Sequence, residues 1–131
     1  MTEENMFLYQ RLIEEFKPKF VHGDSSSMEI LSRFMKRNTI KNKTIKAIFL
    51  GSQTILPHQR KFISETFECP VYCRYGMTEK NTDAVDCEKH RGYHVGMEYG
   101  IFELLDQGNN PVTQPGAPGR VAGTGFDTFC M

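Results

Sequence analysis

Three short apolar runs, each closed by a glycine, constrain this chain more than any other feature: "KFVHGD", "IKAIFLG" and "CPVYCRYG". Segments with helical spacing separate them. In "SSMEILSRFMKRN", Met28, Leu31, Phe34 and Met35 form an apolar stripe, and Ser26 and Glu29 have the spacing of a capping box. "LPHQRKFISETF" places a proline in its first turn and sets Phe62, Ile63, Thr66 and Phe67 along one side. An earlier helix is expected from Met6, Tyr9, Leu12, Ile13 and Phe16, and Pro18 closes it because the residue before a proline is pushed out of the α region. Strand, helix, strand, helix, strand is the pattern of right-handed crossovers on a mostly parallel sheet. The fold class expected is α/β, a mostly parallel three-stranded βαβαβ segment.

The texture changes near residue 80. "GYHVGMEYGIFELLD" alternates apolar and polar residues around Gly100, "DQGNNPVTQPGAPG" is a turn-rich connection, and "RVAGTGF" reads as a returning strand. The 131 residues amount to one domain's worth of chain, divided into an α/β segment over 1–80 and an antiparallel segment over 81–131. The closing "DTFCM" reads as an interrupted element, so the domain is expected to be partial. Sixteen basic and sixteen acidic residues cancel, and no bulk field draws the chain to nucleic acid or an acidic membrane. No run is long enough to span a bilayer and the polar opening "MTEEN" lacks the features of a signal peptide, so a cytoplasmic location with reduced cysteines is expected.

Parallel sheets take ligands beyond the carboxyl ends of their strands. Those ends are His22-Gly23-Asp24, Gly51-Ser52-Gln53 and Arg74-Tyr75-Gly76, each joining a glycine that admits close approach to polar neighbours. In "YGMTE" a tyrosine ring beside a glycine offers a flat face to a base. A threonine hydroxyl can bond a phosphate oxygen, and a glutamate can hold Mg²⁺. By composition alone an ordinary loop serves as well, because glycine and hydroxyl residues are common in turns.

The stretches "KAIFLGSQTILPHQRKFISETF", "YGMTE", "CEKHRGYHV", "EYGIFELLD" and "NNPVTQPGAPGRVAGTGFDTFCM", in this order, resemble the phenylacetate-CoA ligase family with its capsule-biosynthesis and coenzyme F390 synthetase-like relatives, within the adenylate-forming superfamily. The likeness runs from about Phe20 to Met131. It implies the large N-terminal domain of an enzyme that activates a carboxylic acid with ATP as an acyl-adenylate and passes the acyl group to CoA. It also implies roles. Tyr75, Gly76 and Met77 would line the adenine and acyl pocket, Thr78 would bond the α-phosphate and Glu79 would ligate Mg²⁺. "GSQTI" resembles the family's glycine-alanine-glutamate-proline turn, making Gly51, Ser52 and Gln53 nucleotide-side candidates, although Gln53 replaces the usual acid and Thr54 the proline. "HGDSSS" resembles a glycine-aromatic-proline-serine turn at the acyl site, which makes Gly23, Asp24 and Ser25 substrate-side candidates and leaves the acid's identity open.

The family's phosphate-binding loop would lie upstream of Tyr75, and its ribose-binding Gly-Asp and mobile domain with a catalytic lysine would lie downstream of Met131. None of these occurs in "MTEEN" to "DTFCM". The resemblance thus implies a fragment carrying one wall of an active site, unable by itself to form an adenylate, with the remaining domains of a parent enzyme as its partners. The alternative is a non-catalytic nucleotide- or zinc-binding module derived from that fold.

Cys87, His90 and His94 are spaced C-x2-H-x3-H, and Cys73 or Cys130 could complete a tetrahedral Zn²⁺ set of structural rather than catalytic use. The plainer reading makes Cys73 a small buried strand residue, His90 a solvated loop residue and His94 a hydrogen-bonded strand residue. A Cys73 and His22 nucleophilic pair is conceivable at neighbouring strand ends, without a group to orient the histidine. The lysines and arginine of "MKRNTIKNKTIK" could meet phosphates, but no interleaved aromatic platform accompanies them and a solvated helix end is favoured.

Overall fold

The computed structural model describes residues 3–126. The chain divides into two compact units between Arg74 and Tyr75. The first holds α1 (Glu3–Phe16), β1 (Phe20–Gly23), α2 (Ser25–Arg37), β2 (Ala47–Leu50), α3 (Pro57–Phe67) and most of β3 (Val71–Gly76). The three strands are parallel, with Phe20 opposite Ala47, Gly23 opposite Leu50, and Leu50 opposite Cys73. This is the expected mixed α/β architecture on a mostly parallel sheet.

Side chains alternate across the pleat, and the two faces of this sheet have different fates. Ile48, Leu50, Val71 and Cys73 join Met28, Leu31, Phe34 and Met35 of α2, Ile63 and Phe67 of α3, and Met6 of α1 in the buried core. On the other face the rings of Phe20, Phe49 and Tyr72 form a row, with centroids 6.2 Å apart for the first pair and 5.7 Å for the second. Phe20 at the strand edge is 61% exposed.

Two helical expectations need correction. Helix α1 forms where expected and ends before Pro18, but Tyr9, Leu12 and Phe16 are exposed, Phe16 to 83%. The inward face is instead Met6, Gln10 and Ile13, one contact per turn at i, i+4 and i+7. Helix α2 is not capped by a Ser26–Glu29 box. Asp24 is the N-cap, its carboxylate accepting from Ser27 N at 2.8 Å, and Glu29 instead accepts from Gln59 Nε2 at 2.7 Å and pairs with Arg33. A carboxylate one residue before the helix outcompetes a hydroxyl inside it, because it adds charge to the unpaired amides of the first turn.

The second unit is antiparallel. Strands β4 (Asp83–Asp86) and β5 (Tyr93–Val95) pair as a hairpin, and β6 (Gly100–Leu105) pairs with β7 (Arg120–Gly125) along its whole length. The alternation read through "GYHVGMEYGIFELLD" is therefore broken at Gly96–Tyr99, where Tyr99 N donates to Gly96 O in a tight turn. Strand β4, "DAVD", has no counterpart among the strands expected from sequence.

Candidate functional site

The turn after β1 and the turn after β2 are joined through one carboxamide. Gly51 N donates to Gly23 O at 3.0 Å, which aligns the two strand ends. Ser52 then takes a positive φ of 64°, and this left-handed residue reverses the chain so that Gln53 faces the start of α2. Gln53 Oε1 accepts from Ser25 Oγ at 3.1 Å, from Ser26 Oγ at 2.7 Å and from Ser26 N at 3.4 Å. Asp24 takes the neighbouring amide, Ser27 N, and that bond holds its carboxyl below the ordinary carboxylate range. The first-turn amides of Ser26 and Ser27 are thus met by oxygen atoms of the protein itself. A side chain at Gly51 would lie 3.4 Å from His22 Nε2, so glycine leaves the imidazole its place at the strand end. Of the six sequence candidates, Gly23, Gly51, Gln53 and Ser25 are thus linked by hydrogen bonds, while Asp24 caps α2 beside them and Ser52 supplies the left-handed turn.

The YGMTE residues open the second unit. Tyr75, the penultimate residue of β3, is 38% exposed. Lys80 N donates to Met77 O at 3.1 Å, which closes a four-residue turn and leaves Thr78 and Glu79 at its exposed tip. The opposite side of this segment is anchored by residues that sequence reasoning did not single out. Asn81 and Thr82 are buried, and Asn81 Nδ2 donates to Gly123 O at 3.2 Å. Their room comes from two glycines on one face of the β6–β7 ribbon. A Cβ on Gly100 would stand 2.6 Å from Asn81 O, and one on Gly123 would clash with the Thr82 hydroxyl. The signal was present in "EYGIF" and "AGTGF", since a glycine inside a strand marks a close backbone approach.

This tip has the donors that a nucleotide and Mg²⁺ call for. Mg²⁺ is held by one or two carboxylates together with phosphate oxygens and water, so a single exposed carboxylate beside a hydroxyl fits it. Zinc fits less well. Among the described residues no group of three or more His, Cys, Asp and Glu side chains is placed to hold a metal ion, and Cys130 lies outside them. His90 Nδ1 is 2.9 Å from Asp86 Oδ2, Cys87 Sγ accepts from Lys89 N, and His94 sits opposite Val85 in the hairpin. The His22–Cys73 pair is likewise not assembled. Strand β2 separates β1 from β3, His22 and Cys73 lie on opposite faces of the sheet, and buried Cys73 accepts from Arg60 Nη2 at 3.4 Å.

No family model matches the chain. Over 101 residues it is 26% identical to Protein CapK of Staphylococcus aureus, an alignment that spans 76% of this chain and 22% of that protein. Its fold is found in solved CoA ligases. The anthranilate CoA ligase AuaEII, in complex with anthranoyl-AMP, superimposes with a TM-score of 0.72 at 13% identity, over 92% of this chain and 24% of the ligase. The long-chain-fatty-acid-CoA ligase FadD1 of Archaeoglobus fulgidus gives 0.71 at 12% identity, over 88% and 26%. An open conformation of 2-hydroxyisobutyryl-CoA ligase, in complex with its acyl-AMP and CoA, gives 0.67 at 18% identity, over 79% and 26%. The chain spans about a quarter of the length of the proteins it resembles. No described helix is long and apolar enough to cross a membrane.

Proposed function

We propose that the chain is a segment of an AMP-forming acyl- or aryl-CoA ligase of the phenylacetate-CoA ligase type. The parent would join a carboxylic acid to the α-phosphate of ATP with loss of pyrophosphate, then exchange AMP for the thiol of CoA. One observation carries the reading: the turn after β3 holds Thr78 and Glu79 at an exposed tip while Asn81 and Thr82 clamp its base. Carboxylate attack on a phosphate brings two anions together, so the chemistry needs charge neutralisation and positioning more than a strong base. Mg²⁺, when bound, supplies much of that positive charge.

In this reading the Thr78 hydroxyl donates to the α-phosphate and the Glu79 carboxylate holds the metal. Tyr75, Gly76 and Met77 flank adenine and the acyl group. Gly51, Ser52 and Gln53 border the nucleotide through backbone atoms, since the Gln53 carboxamide oxygen is engaged by the serines of α2. Gly23, Asp24 and Ser25 border the acyl substrate. The enzyme would work in the cytoplasm with the rest of its polypeptide.

Calorimetric titration of this chain with AMP and Mg²⁺ tests the reading. Saturable binding is expected, abolished by Thr78→Ala with Glu79→Ala. Equal binding by that double variant, or none by the parent chain, would overturn it. Sustained ATP–pyrophosphate exchange by the chain alone would contradict the further expectation that this segment cannot form an adenylate unaided.

A further inference from the structure

At the opposite end of the first unit, where the strands begin rather than end, lies a cavity of about 410 Å³. Its floor is apolar, formed by Ile13, Met35 and Phe67, and its rim carries Lys17, Lys41 and Lys43. A volume of this size lies within the range of small-molecule sites. Among the described residues none of the three lysines is ion-paired, and the one rim carboxylate, Glu14, accepts from Gln10 Nε2 at 2.8 Å.

Two further features distinguish this cavity from a chance depression. Gln10 is 9% exposed, and its Oε1, like Thr44 Oγ1, is buried in the cavity wall without a hydrogen-bond partner. Buried polar atoms left so cost free energy that a bound polar group can recover. The loop bearing Lys41 and Lys43 is also fixed in place. Asn42 Oδ1 accepts from Thr44 N and Ile45 N at 3.0 Å, while its Nδ2 donates to Ile45 O at 2.9 Å and to Phe67 O at 2.8 Å. That ties the loop to the end of α3 and sets a lysine on each side of the tie, so little ordering remains to be done on binding.

We propose that this cavity binds a small organic anion with an apolar body and a phosphate-like head, at a site separate from the turns that follow β1 and β2. The ammonium groups of Lys17, Lys41 and Lys43 face the head, the apolar floor takes the body, and the unpartnered Thr44 hydroxyl can donate to a phosphate oxygen of the head.

Phenyl phosphate is the probe, with phenol as its neutral counterpart. Calorimetry on the chain is expected to show one saturable site for phenyl phosphate and about tenfold weaker binding of phenol. Lys41→Ala with Lys43→Ala is expected to weaken phenyl phosphate by about tenfold while leaving the melting temperature unchanged. Lys41→Arg with Lys43→Arg should restore binding, and the Thr78→Ala variant should bind as the parent does. Absence of saturable binding, equal affinity for phenol, or indifference to the alanine pair would each overturn the proposal.

Discussion

Gln53 Oε1 accepts the hydroxyl proton of Ser26 across a gap of 2.7 Å, joining the turn after β2 to the first turn of α2. The same oxygen also accepts from Ser25 Oγ. Gln53→Ala should cost about 1–2 kcal/mol by removing the one oxygen that accepts from both serine hydroxyls at a helix start. Gln53→Glu keeps the acceptors and adds negative charge where the helix dipole favours it, so it should match or exceed the parent. Urea unfolding followed by far-UV circular dichroism measures both, and a Glu variant as weak as the Ala variant would refute the account.

Asp24 and Glu29 both have carboxyl groups held below their ordinary range, Asp24 by the amide of Ser27 and Glu29 by the carboxamide of Gln59 and then Arg33. A depressed folded-state pKa means that the unfolded chain binds protons first as pH falls. The stabilisation is therefore present above the ordinary carboxylate pKa, about 4, and is lost as pH drops through the lower folded values. Melting temperature should fall on acidification from about pH 4.5 downward. Asp24→Asn should be less stable at neutral pH and show a shallower acid limb; an unchanged limb would count against the assignment.

Gly100 and Gly123 should respond differently to alanine although both lie on one face of the same ribbon. At Gly100 the added carbon meets the backbone oxygens of Asn81 and Thr124, which cannot swing away, so a loss of about 3 kcal/mol is expected. At Gly123 the main obstacle is the Thr82 hydroxyl. Combining Gly123→Ala with Thr82→Ala should recover most of the loss, to within about 1 kcal/mol of Thr82→Ala alone. Hydrogen exchange at β6 and β7 amides reads this out, and failure of the rescue would show that backbone crowding dominates at both sites.

Asn42→Ala removes four hydrogen bonds at once, two accepted and two donated, and should cost about 2–3 kcal/mol. Asn42→Asp retains the accepted pair but turns a carboxylate toward the carbonyls of Ile45 and Phe67, so it should be no better than alanine. Equilibrium denaturation of the two variants distinguishes this tie from a merely space-filling residue.

The α/β half was legible because its signals are long-period and agree with one another. The stripe of α2 became core, as did Ile63 and Phe67 of the α3 stripe, and each of the three glycine-closed runs became a strand. What was not legible depended on choices among near-equivalent local options. The run Ser25-Ser26-Ser27 offers several capping frames, and only the reach of the Asp24 carboxylate to Ser27 N selects one. In α1, apolar residues surround the helix, so spacing alone could not show that polar Gln10 turns inward while Leu12 and Phe16 do not. Strand β4 is four residues long with acids at both ends, and its Asp86 is buried beside His90, a pairing invisible to a window along the chain. The YGMTE turn was placed correctly at a strand end, but its footing on Asn81 and Thr82 depends on glycines 19 and 41 residues further on (100 − 81 and 123 − 82).

The row of Phe20, Phe49 and Tyr72 has a thermal consequence. Phe20 is already 61% exposed and Phe49 and Tyr72 are half-buried, so the row contributes less new apolar surface than enclosed rings would when the first unit melts, and the heat-capacity increment of unfolding scales with that newly wetted area. The unit should therefore have a flatter stability curve and a weaker response to denaturant than a fully enclosed βαβαβ layer of equal length. Cooling would protect it little, and its melting would be gradual.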